Sequence, residues 1–251
     1  MRGTKIGRMT FRGNLARGVA GALRRTIDLA LPAVCAGCER EGRALCDECA
    51  TALDVRLSLP PGVPIGLPGE IPAPLAQVEW CAPFSGVTRR ALHRLKYAGE
   101  RRLADPLGAA VARRWASAGR GGAALVPVPA SPDRVRERGY DQAELIARAA
   151  GAALGLPVLA VLERRRRTAA QFDLDREARA GNVAGAFGLR GTGASGGPST
   201  WPPAGRGPGG APWLILVDDV LTTGSTLAAC AAVLLDAGAI AVSAVTVARE
   251  R

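Results

Sequence analysis

One stretch of the chain decides the fold, because it joins a buried strand, a turn and a helix start: residues 214–226 read LILVDDVLTTGST. The four apolar residues at 214–217 predict a strand that is buried on both faces, as in a parallel sheet. Two acidic residues and a hydroxyl- and glycine-rich turn follow. The apolar pattern beyond the turn predicts a helix over 225–236 that Gly238 ends. A strand that leads directly into a helix is typical of an α/β fold.

The turn after this strand has the chemistry of an anion site. A helix start presents unpaired backbone N–H groups and the positive end of the helix dipole. Gly224 lets the backbone approach a ligand closely, and further donors come from the hydroxyl groups of Thr222, Thr223, Ser225 and Thr226. We therefore predict that residues 222–226 bind a phosphate group.

The two carboxylates beside this turn, Asp218 and Asp219, would repel a phosphate in direct contact. We expect them to accept hydrogen bonds from sugar hydroxyls, or to stabilise positive charge that develops on a ribose ring. The alternative is an ordinary capped helix after a strand, with both carboxylates simply solvated.

The rest of the chain predicts a mainly parallel sheet flanked by helices. Helices are predicted over 91–95, 103–115 and 141–154, and strands over 124–129, 156–162 and 241–248. Asp141 is the predicted N-cap of the third helix, with Glu144 in the capping-box position. Between the strand at 124–129 and this helix, Arg134, Arg136 and Arg138 precede Gly139 in a predicted basic loop.

Four cysteines form two CxxC pairs, Cys35 with Cys38 and Cys46 with Cys49. Four thiolates at this spacing can surround one tetrahedral Zn²⁺ ion, which would supply most of the folding energy of so short a block. A pair of disulfides is the alternative, but it requires an oxidising compartment, to which nothing in the sequence points. Cys81 and Cys230 are predicted to be isolated buried thiols.

Composition changes along the chain predict its organisation. We expect a basic N-terminal extension at 1–30, a four-cysteine zinc-binding module at 31–57, a Pro/Gly-rich linker at 58–78 and an α/β domain at 79–251 with a disordered insertion at 190–212. No apolar run is long enough for a membrane span and no signal peptide is recognised, so a cytoplasmic location is expected. The net charge of +11 indicates either a polyanionic partner or a solvated basic surface.

Residues 214–226 resemble the phosphoribosyl-diphosphate signature of type I phosphoribosyltransferases. The resemblance implies that fold, with a small N-terminal four-cysteine zinc module added to it here. It also implies that Asp218 and Asp219 hold the ribose 2′- and 3′-hydroxyls, that Thr222 to Thr226 hold the 5′-phosphate, and that Mg²⁺ accompanies the diphosphate.

Three further segments resemble the ComF family, which is linked to DNA uptake in natural competence. They are His93 to Tyr97 (HRLKY), the pair Val126 to Pro129 (VPVP) and Arg138 to Gln142 (RGYDQ), and a loop with Arg164, Arg166, Thr168 and Gln171 that leads to Ala186 and Phe187. The resemblance covers residues 27–251 and implies a diphosphate-binding and flexible-loop role for Lys96, Arg138, Gly139, Arg164, Arg166 and Gln171. Asp141 stands where that family usually has Asn, and relatives often carry further CxxC pairs.

Two functions from different classes remain open at this point. The first is an enzyme that transfers a phosphoribosyl group from phosphoribosyl diphosphate to an unidentified acceptor. The second is a protein that handles single-stranded DNA together with competence proteins and uses the same site without transfer. A sensor of phosphoribosyl diphosphate is a third reading. The four arginines at 164–167 fit a phosphate-binding role or a solvated loop.

Overall fold

The computed structural model describes residues 33–62, 71–165, 185–190 and 211–250. Its strands are β1 (Ala33–Val34), β2 (Glu41–Gly42), β3 (Val78–Pro83), β4 (Ala124–Pro127), β5 (Leu162–Arg164), β6 (Phe187–Leu189), β7 (Trp213–Leu221) and β8 (Ala241–Arg249). Its helices are α1 (Asp47–Ala50), α2 (Gly86–Tyr97), α3 (Ala104–Ala118), α4 (Pro132–Arg138), α5 (Gln142–Leu154) and α6 (Ser225–Asp236).

The central sheet has the order β3-β8-β7-β4, and every neighbouring pair in it is parallel. β7 is therefore an inner strand, which explains the unbroken apolar run at 214–217. Helices flank the sheet, and the four-cysteine block lies N-terminal to it. The predicted α/β class, a mainly parallel sheet flanked by helices with a small four-cysteine module, is confirmed.

The side chains of β7 alternate between two apolar clusters, because successive residues of a strand point to opposite faces. Ile215 and Val217 pack in the cluster that contains α2, α3 and α5. Leu214 and Leu216 pack in the cluster that contains β5, β6 and α6. This alternation assigns each of the next two residues, the acidic pair, to a different face of the sheet.

Two predicted elements differ from the structure. The predicted strand at 156–162 is reduced to a single parallel bridge between Val158 and Leu125, followed by the short β5, which pairs antiparallel with β6. Pro157 offers no N–H group for a longer ladder. The predicted basic loop is a short helix instead: the Ser131 hydroxyl caps the start of α4, and Gly139, with φ of 77°, ends it.

The start of α5 follows the prediction only in part. Asp141 is the N-cap, and its carboxylate accepts hydrogen bonds from the N–H groups of Ala143 and Glu144. The Glu144 carboxylate, however, pairs with Arg148 on the next turn at 2.6 Å. Asp141 also accepts from the N–H of Ala130 at 2.8 Å, so it ties the segment after β4 to the start of α5.

The four-cysteine module packs into the same apolar cluster as α2 and α3. Arg56, near the end of the module, belongs to a buried ion-pair network. The Glu79 carboxylate lies 2.6 Å from the Arg114 guanidinium and 3.6 Å from that of Arg56. Glu79 also accepts a hydrogen bond from the N–H of Gly62 at 2.8 Å. In the described ranges, no helix is both long and apolar enough to cross a bilayer.

Candidate functional site

Asp218 and Asp219 lie in the C-terminal half of β7, toward the carboxyl end of the parallel sheet, where open α/β sheets bind ligands. The strand alternation sends Asp219 toward the face covered by α2 and Asp218 toward the face covered by α6. The backbone N–H of Asp219 donates a 2.8 Å hydrogen bond to the carboxylate of Asp218, which fixes that carboxylate beside the strand. The two acids therefore border the strand end from both sides.

On the α2 side, Asp219 forms an ion pair with Lys96. The two side chains are largely buried, and Lys96 Nζ lies 2.5 Å from Asp219 Oδ2. A buried carboxylate needs such a partner, since removing it from water is costly. The pair also neutralises one of the two negative charges beside the turn at 222–226. Lys96 is thus part of the site, although it is more than 120 residues from Asp219 in the sequence.

On the α6 side, the Asp218 side chain is partly accessible to solvent. Its surroundings nevertheless disfavour the ionised form of the carboxyl. Burial and the neighbouring Asp219 carboxylate raise the pKa of Asp218 well above its ordinary value, and the Lys96 ammonium offsets this only in part. The fold holds Asp218 here at a cost to its own stability. Such costs are common at functional sites.

The turn at 222–226 joins β7 to α6. Gly224 has φ of 80° and is the N-cap of α6, where it makes no side-chain cap hydrogen bond. The hydroxyl groups of Thr223 and Ser225 lie 2.9 Å apart and hydrogen bond to each other. With no carboxylate capping this helix start, its N–H groups and hydroxyls form the set of donors that a phosphate requires.

Gly224 is required at this position for two reasons. A Cβ there would lie 2.5 Å from Pro72 Cγ, and the φ of 80° is unfavourable for other residues. We expect Gly224→Ala to lower the free energy of unfolding by about 1–3 kcal/mol and to weaken the binding of phosphorylated ligands. Thermal melts and ligand titrations measure the two effects.

Gly238→Ala is the matched control for this prediction. Gly238 also has a positive φ, of 95°, but a Cβ there meets nothing within 4 Å, and the residue follows the far end of α6. It should lose stability through backbone strain alone and keep its ligand affinity. Equal loss of affinity in both variants would contradict the role assigned to the turn.

The segment after β4 lies next to the acidic pair, because the N–H of Val128 donates to the carbonyl of Val217 at 2.9 Å. Farther along, the Arg138 guanidinium donates to the Gln142 side chain at 2.8 Å and lies 5.1 Å from the centre of the Tyr97 ring. Gly139 ends α4, and its carbonyl oxygen accepts a hydrogen bond from the Arg101 guanidinium at 3.4 Å. The structure thus brings Arg138 against the end of α2 that carries Lys96.

Arg164 reaches the site from β5. Its guanidinium lies 5.4 Å from the centre of the Phe187 ring. Burial and the charge of Arg134 lower the pKa of Arg164, whereas the thiol of Cys230 and the carboxyl of Asp218 act in the opposite direction. The influence of Arg134 and Asp218 on this pKa indicates that both charges lie in the neighbourhood of Arg164. Arg166, Gln171 and the other predicted flexible-loop residues lie outside the described residues.

Two neighbours of the site were not predicted as part of it. Pro72 lies against Gly224, but it belongs to a segment that reads as a linker, and no sequence signal connects the two. Cys230 is fully buried on α6, and burial and the Asp218 carboxyl raise the pKa of its thiol. Cys81 is buried as well, so both predictions of isolated buried thiols are confirmed.

The four module cysteines form one cluster, in which all Sγ atoms lie within 4.8 Å of one another. Cys38 Sγ and Cys46 Sγ are 3.7 Å apart, whereas disulfide-bonded sulfurs are about 2.05 Å apart. Two sulfurs bound to one tetrahedral zinc at about 2.3 Å each would be separated by about 3.8 Å. The cluster therefore fits a metal and does not form disulfides.

Hydrogen bonds favour the thiolate form of two of the four cysteines, whereas burial and the neighbouring sulfurs raise the pKa of Cys49 to about 12. Burial raises the pKa of Cys35, but the N–H groups of Cys38, Cys46 and Gly37 outweigh it and lower that pKa to about 6. The backbone N–H and the guanidinium of Arg40 lower the pKa of Cys38. N–H···S bonds of this kind commonly orient and stabilise metal-bound sulfur.

Gly37 is required by the first CxxC turn, because a Cβ at that position would lie 2.4 Å from Cys49 Sγ. We expect Gly37→Ala to displace Cys49, reduce the metal content per chain, and lower the free energy of unfolding by about 1–3 kcal/mol. Elemental analysis and thermal melts measure the two effects.

Gly108→Ala is the control, since its Cβ would lie 2.7 Å from the Ile146 carbonyl oxygen, away from the cluster. It should lose stability and keep its metal; a Gly37→Ala protein with full metal content would contradict the argument.

Comparisons with known proteins add little to what the geometry of the site shows about its chemistry. No family model matches the chain, and no curated protein matches it. Among solved structures, the chain is similar to the glutamine phosphoribosylpyrophosphate amidotransferase from B. subtilis complexed with ADP and GMP, with a TM-score of 0.34 and 17% sequence identity. The match covers 57% of this chain and 26% of that one, so the chain spans about a quarter of that protein's length. A likeness this distant supports no statement about function.

Proposed function

We propose that the β7–α6 site binds phosphoribosyl diphosphate, or a closely related ribose 5-phosphate compound, and that the protein is a phosphoribosyltransferase of the ComF family. One observation carries the proposal: Asp218 and Asp219 border the end of an inner parallel strand, shortly before a helix start that is rich in hydroxyl groups and has no capping carboxylate. The turn would hold the 5′-phosphate, and the two carboxylates would accept hydrogen bonds from the ribose hydroxyls.

The surrounding cations suit the diphosphate group. Arg134 and Arg138 lie on α4 and Arg164 ends β5, and guanidinium groups bind phosphate oxygens in pairs of hydrogen bonds. Lys96 already neutralises Asp219, so the pair of acids repels an incoming polyanion less than two free carboxylates would. Mg²⁺ would enter with the diphosphate, held largely by the ligand's own oxygens, and would offset charge on the leaving group.

In the transfer reaction, the bond from ribose C1 to the diphosphate oxygen breaks and a bond from C1 to a nucleophilic nitrogen of the acceptor forms. Diphosphate leaves with the electron pair, and the nitrogen's proton passes to solvent. Positive charge builds up on the ribose ring in between. Burial and Asp219 disfavour the negative charge of Asp218 when no ligand is bound. That charge would be stabilised as the ribose ring becomes positive.

Release of diphosphate tests the transfer. The wild-type protein is incubated with phosphoribosyl diphosphate, Mg²⁺ and a panel of purine, pyrimidine and amine acceptors, and diphosphate is measured with time. We expect acceptor-dependent release that falls at least about tenfold in Asp219→Asn, which loses one acceptor oxygen, the negative charge and the ion pair with Lys96. Release without dependence on the acceptor, or none with any acceptor, would count against a transferase.

A second candidate function is the handling of single-stranded DNA, as in natural competence. It is favoured by Tyr97, which is 64% exposed and is flanked by the His93 ring at 4.7 Å and by Arg138. Base stacking on an exposed aromatic ring beside an arginine is typical of such proteins. However, two other aromatic residues, Trp115 and Tyr140, are buried and therefore not accessible to a base.

Salt dependence separates this second candidate from weak surface attraction. Binding of an oligonucleotide through several phosphates should fall steeply between about 50 and 200 mM salt, and Tyr97→Ala should weaken it further. Affinity that is weak and insensitive to salt, or unchanged in Tyr97→Ala, would remove the support for DNA handling.

For the four-cysteine cluster, we propose a structural zinc ion. Cys35, Cys38, Cys46 and Cys49 would fill all four positions of a tetrahedral site, which leaves none open for chemistry. The ion would hold the module against α2, since Arg90 and Arg94 donate hydrogen bonds to the carbonyl groups of the first CxxC turn and of β1.

A further inference from the structure

A cavity of about 400 Å³ lies on the outer side of α2, next to the four-cysteine module, and is lined by Gly86, Arg89, Arg90, His93 and Arg94. Its volume is within the range of small-molecule sites. Apart from the glycine, each lining residue carries a guanidinium or an imidazole, and no carboxylate lines it. Such a lining favours an anion.

The module fixes two of the three guanidinium groups. Arg90 donates to the carbonyl oxygens of Ala36 at 3.0 Å and Gly37 at 2.9 Å, and Arg94 donates to that of Val34 at 3.0 Å. Each guanidinium has five N–H donors, so further donors remain for a ligand after these bonds are made. Glu39 is the nearby acid: its carboxylate lies 3.7 Å from Arg94 and is mostly exposed.

The remaining two side chains, Arg89 and His93, are exposed and lie one helical turn apart on the same stripe of α2. The Arg89 side chain makes no hydrogen bond or ion pair with any residue in the described part of the chain, so it is available to a ligand. A ligand in the cavity would thus meet two prearranged guanidinium groups on one side and a third, with an imidazole, on the other. Fixed donors lose less conformational entropy on binding than mobile ones.

We propose that this cavity is a second oxyanion site, separate from the β7–α6 turn, which binds a small phosphorylated compound between α2 and the four-cysteine module. Arginine is the residue best suited to phosphate oxygens, because its planar guanidinium forms paired hydrogen bonds with them. Arg89 and Lys96 are seven residues apart, or about 10 Å along the helix at 1.5 Å per residue. The two sites therefore share α2, and the proposal does not depend on what the β7–α6 site binds.

His93 makes the test direct, since it is the chain's single histidine. The imidazole resonances of untagged, zinc-loaded protein are followed by NMR during titration with inorganic diphosphate at constant ionic strength, with chloride as the reference salt. We expect a saturable shift that chloride does not produce. Arg89→Gln, which removes one exposed guanidinium, is expected to weaken the apparent affinity about tenfold while its thermal melt and zinc content stay as in the wild type.

Gly224→Ala distinguishes the two sites, because it disrupts only the β7–α6 turn and should keep the full His93 shift. An unsaturable shift, an equal shift with chloride, or an unchanged affinity in Arg89→Gln would overturn the proposal. So would a shift that a short oligonucleotide produces and diphosphate does not, since the cavity would then bind a nucleic-acid strand rather than a small compound.

Discussion

Asp218→Asn is expected to make the protein more stable and less able to bind its ligand. Burial and the Asp219 carboxylate raise the pKa of Asp218 well above the ordinary 3.8. The folded protein therefore loses stability as the pH rises from about 3.8, where the unfolded chain ionises, to the higher pKa of the folded state. Asn removes this loss, so its advantage should be absent at low pH and grow as the pH rises.

The same substitution removes a charged acceptor for a ribose hydroxyl. A hydrogen bond to a charged group contributes about 1.5–3 kcal/mol, so affinity for Mg²⁺–phosphoribosyl diphosphate should fall about ten- to hundredfold. Asp236→Asn is the control with the same change in net charge, since Asp236 is an exposed residue at the end of α6. Melting curves from pH 4 to pH 8 and titrations at pH 7.5 test both halves. An Asp218→Asn protein that is less stable at neutral pH, or that binds normally, would contradict the role given to Asp218.

Cys46→Ser is expected to remove the metal and to lower the melting temperature by about 10 °C or more, because a structural zinc supplies folding energy directly. The loss should spread beyond the module. Ala36, Leu45 and Leu53 pack in the same apolar cluster as α2, and α2 carries the Lys96 that pairs with Asp219. We therefore also expect weaker ligand binding at the β7–α6 site.

Cys81→Ala is the control for this experiment. Cys81 is buried in the same cluster but lies outside the set of four, and burial raises the pKa of its thiol to about 12. This variant should lose some stability through the cavity it creates and still contain one zinc per chain by elemental analysis. A Cys46→Ser protein that keeps full metal content and melting temperature would exclude the structural metal site.

Local chemistry made much of the fold predictable from the sequence. The apolar run before Asp218, the turn around Gly224 and the helix after it each carry a strong short-range signal, and all three lie where predicted. The four cysteines were predicted from their spacing, and the thiols cluster as zinc ligands do. Asp141 was predicted as an N-cap, and it caps α5.

Interactions between residues that are far apart in the sequence could not be predicted from local patterns. The ion pair between Lys96 and Asp219, the contact of Pro72 with Gly224, and the burial of Glu79 between two arginines all depend on how the chain is brought together. The short α4 shows a different limit: Ser131, Pro132 and Gly139 are its start and stop signals, but its many arginines and short length resemble a basic loop. At 156–162, an apolar composition predicted a strand, whereas Pro157 limited its pairing.

Calorimetric titration of the wild-type protein with Mg²⁺–phosphoribosyl diphosphate tests the central claim most directly. The Asp218→Asn/Asp219→Asn double variant and a titration with Mg²⁺–diphosphate alone run beside it. We predict saturable binding of one phosphoribosyl diphosphate at the β7–α6 site, tighter than that of diphosphate and lost from this site in the folded double variant. If the wild type, folded and zinc-loaded, binds the two ligands equally or the double variant binds as well as the wild type, the acidic pair does not recognise ribose and the assignment of the site is wrong.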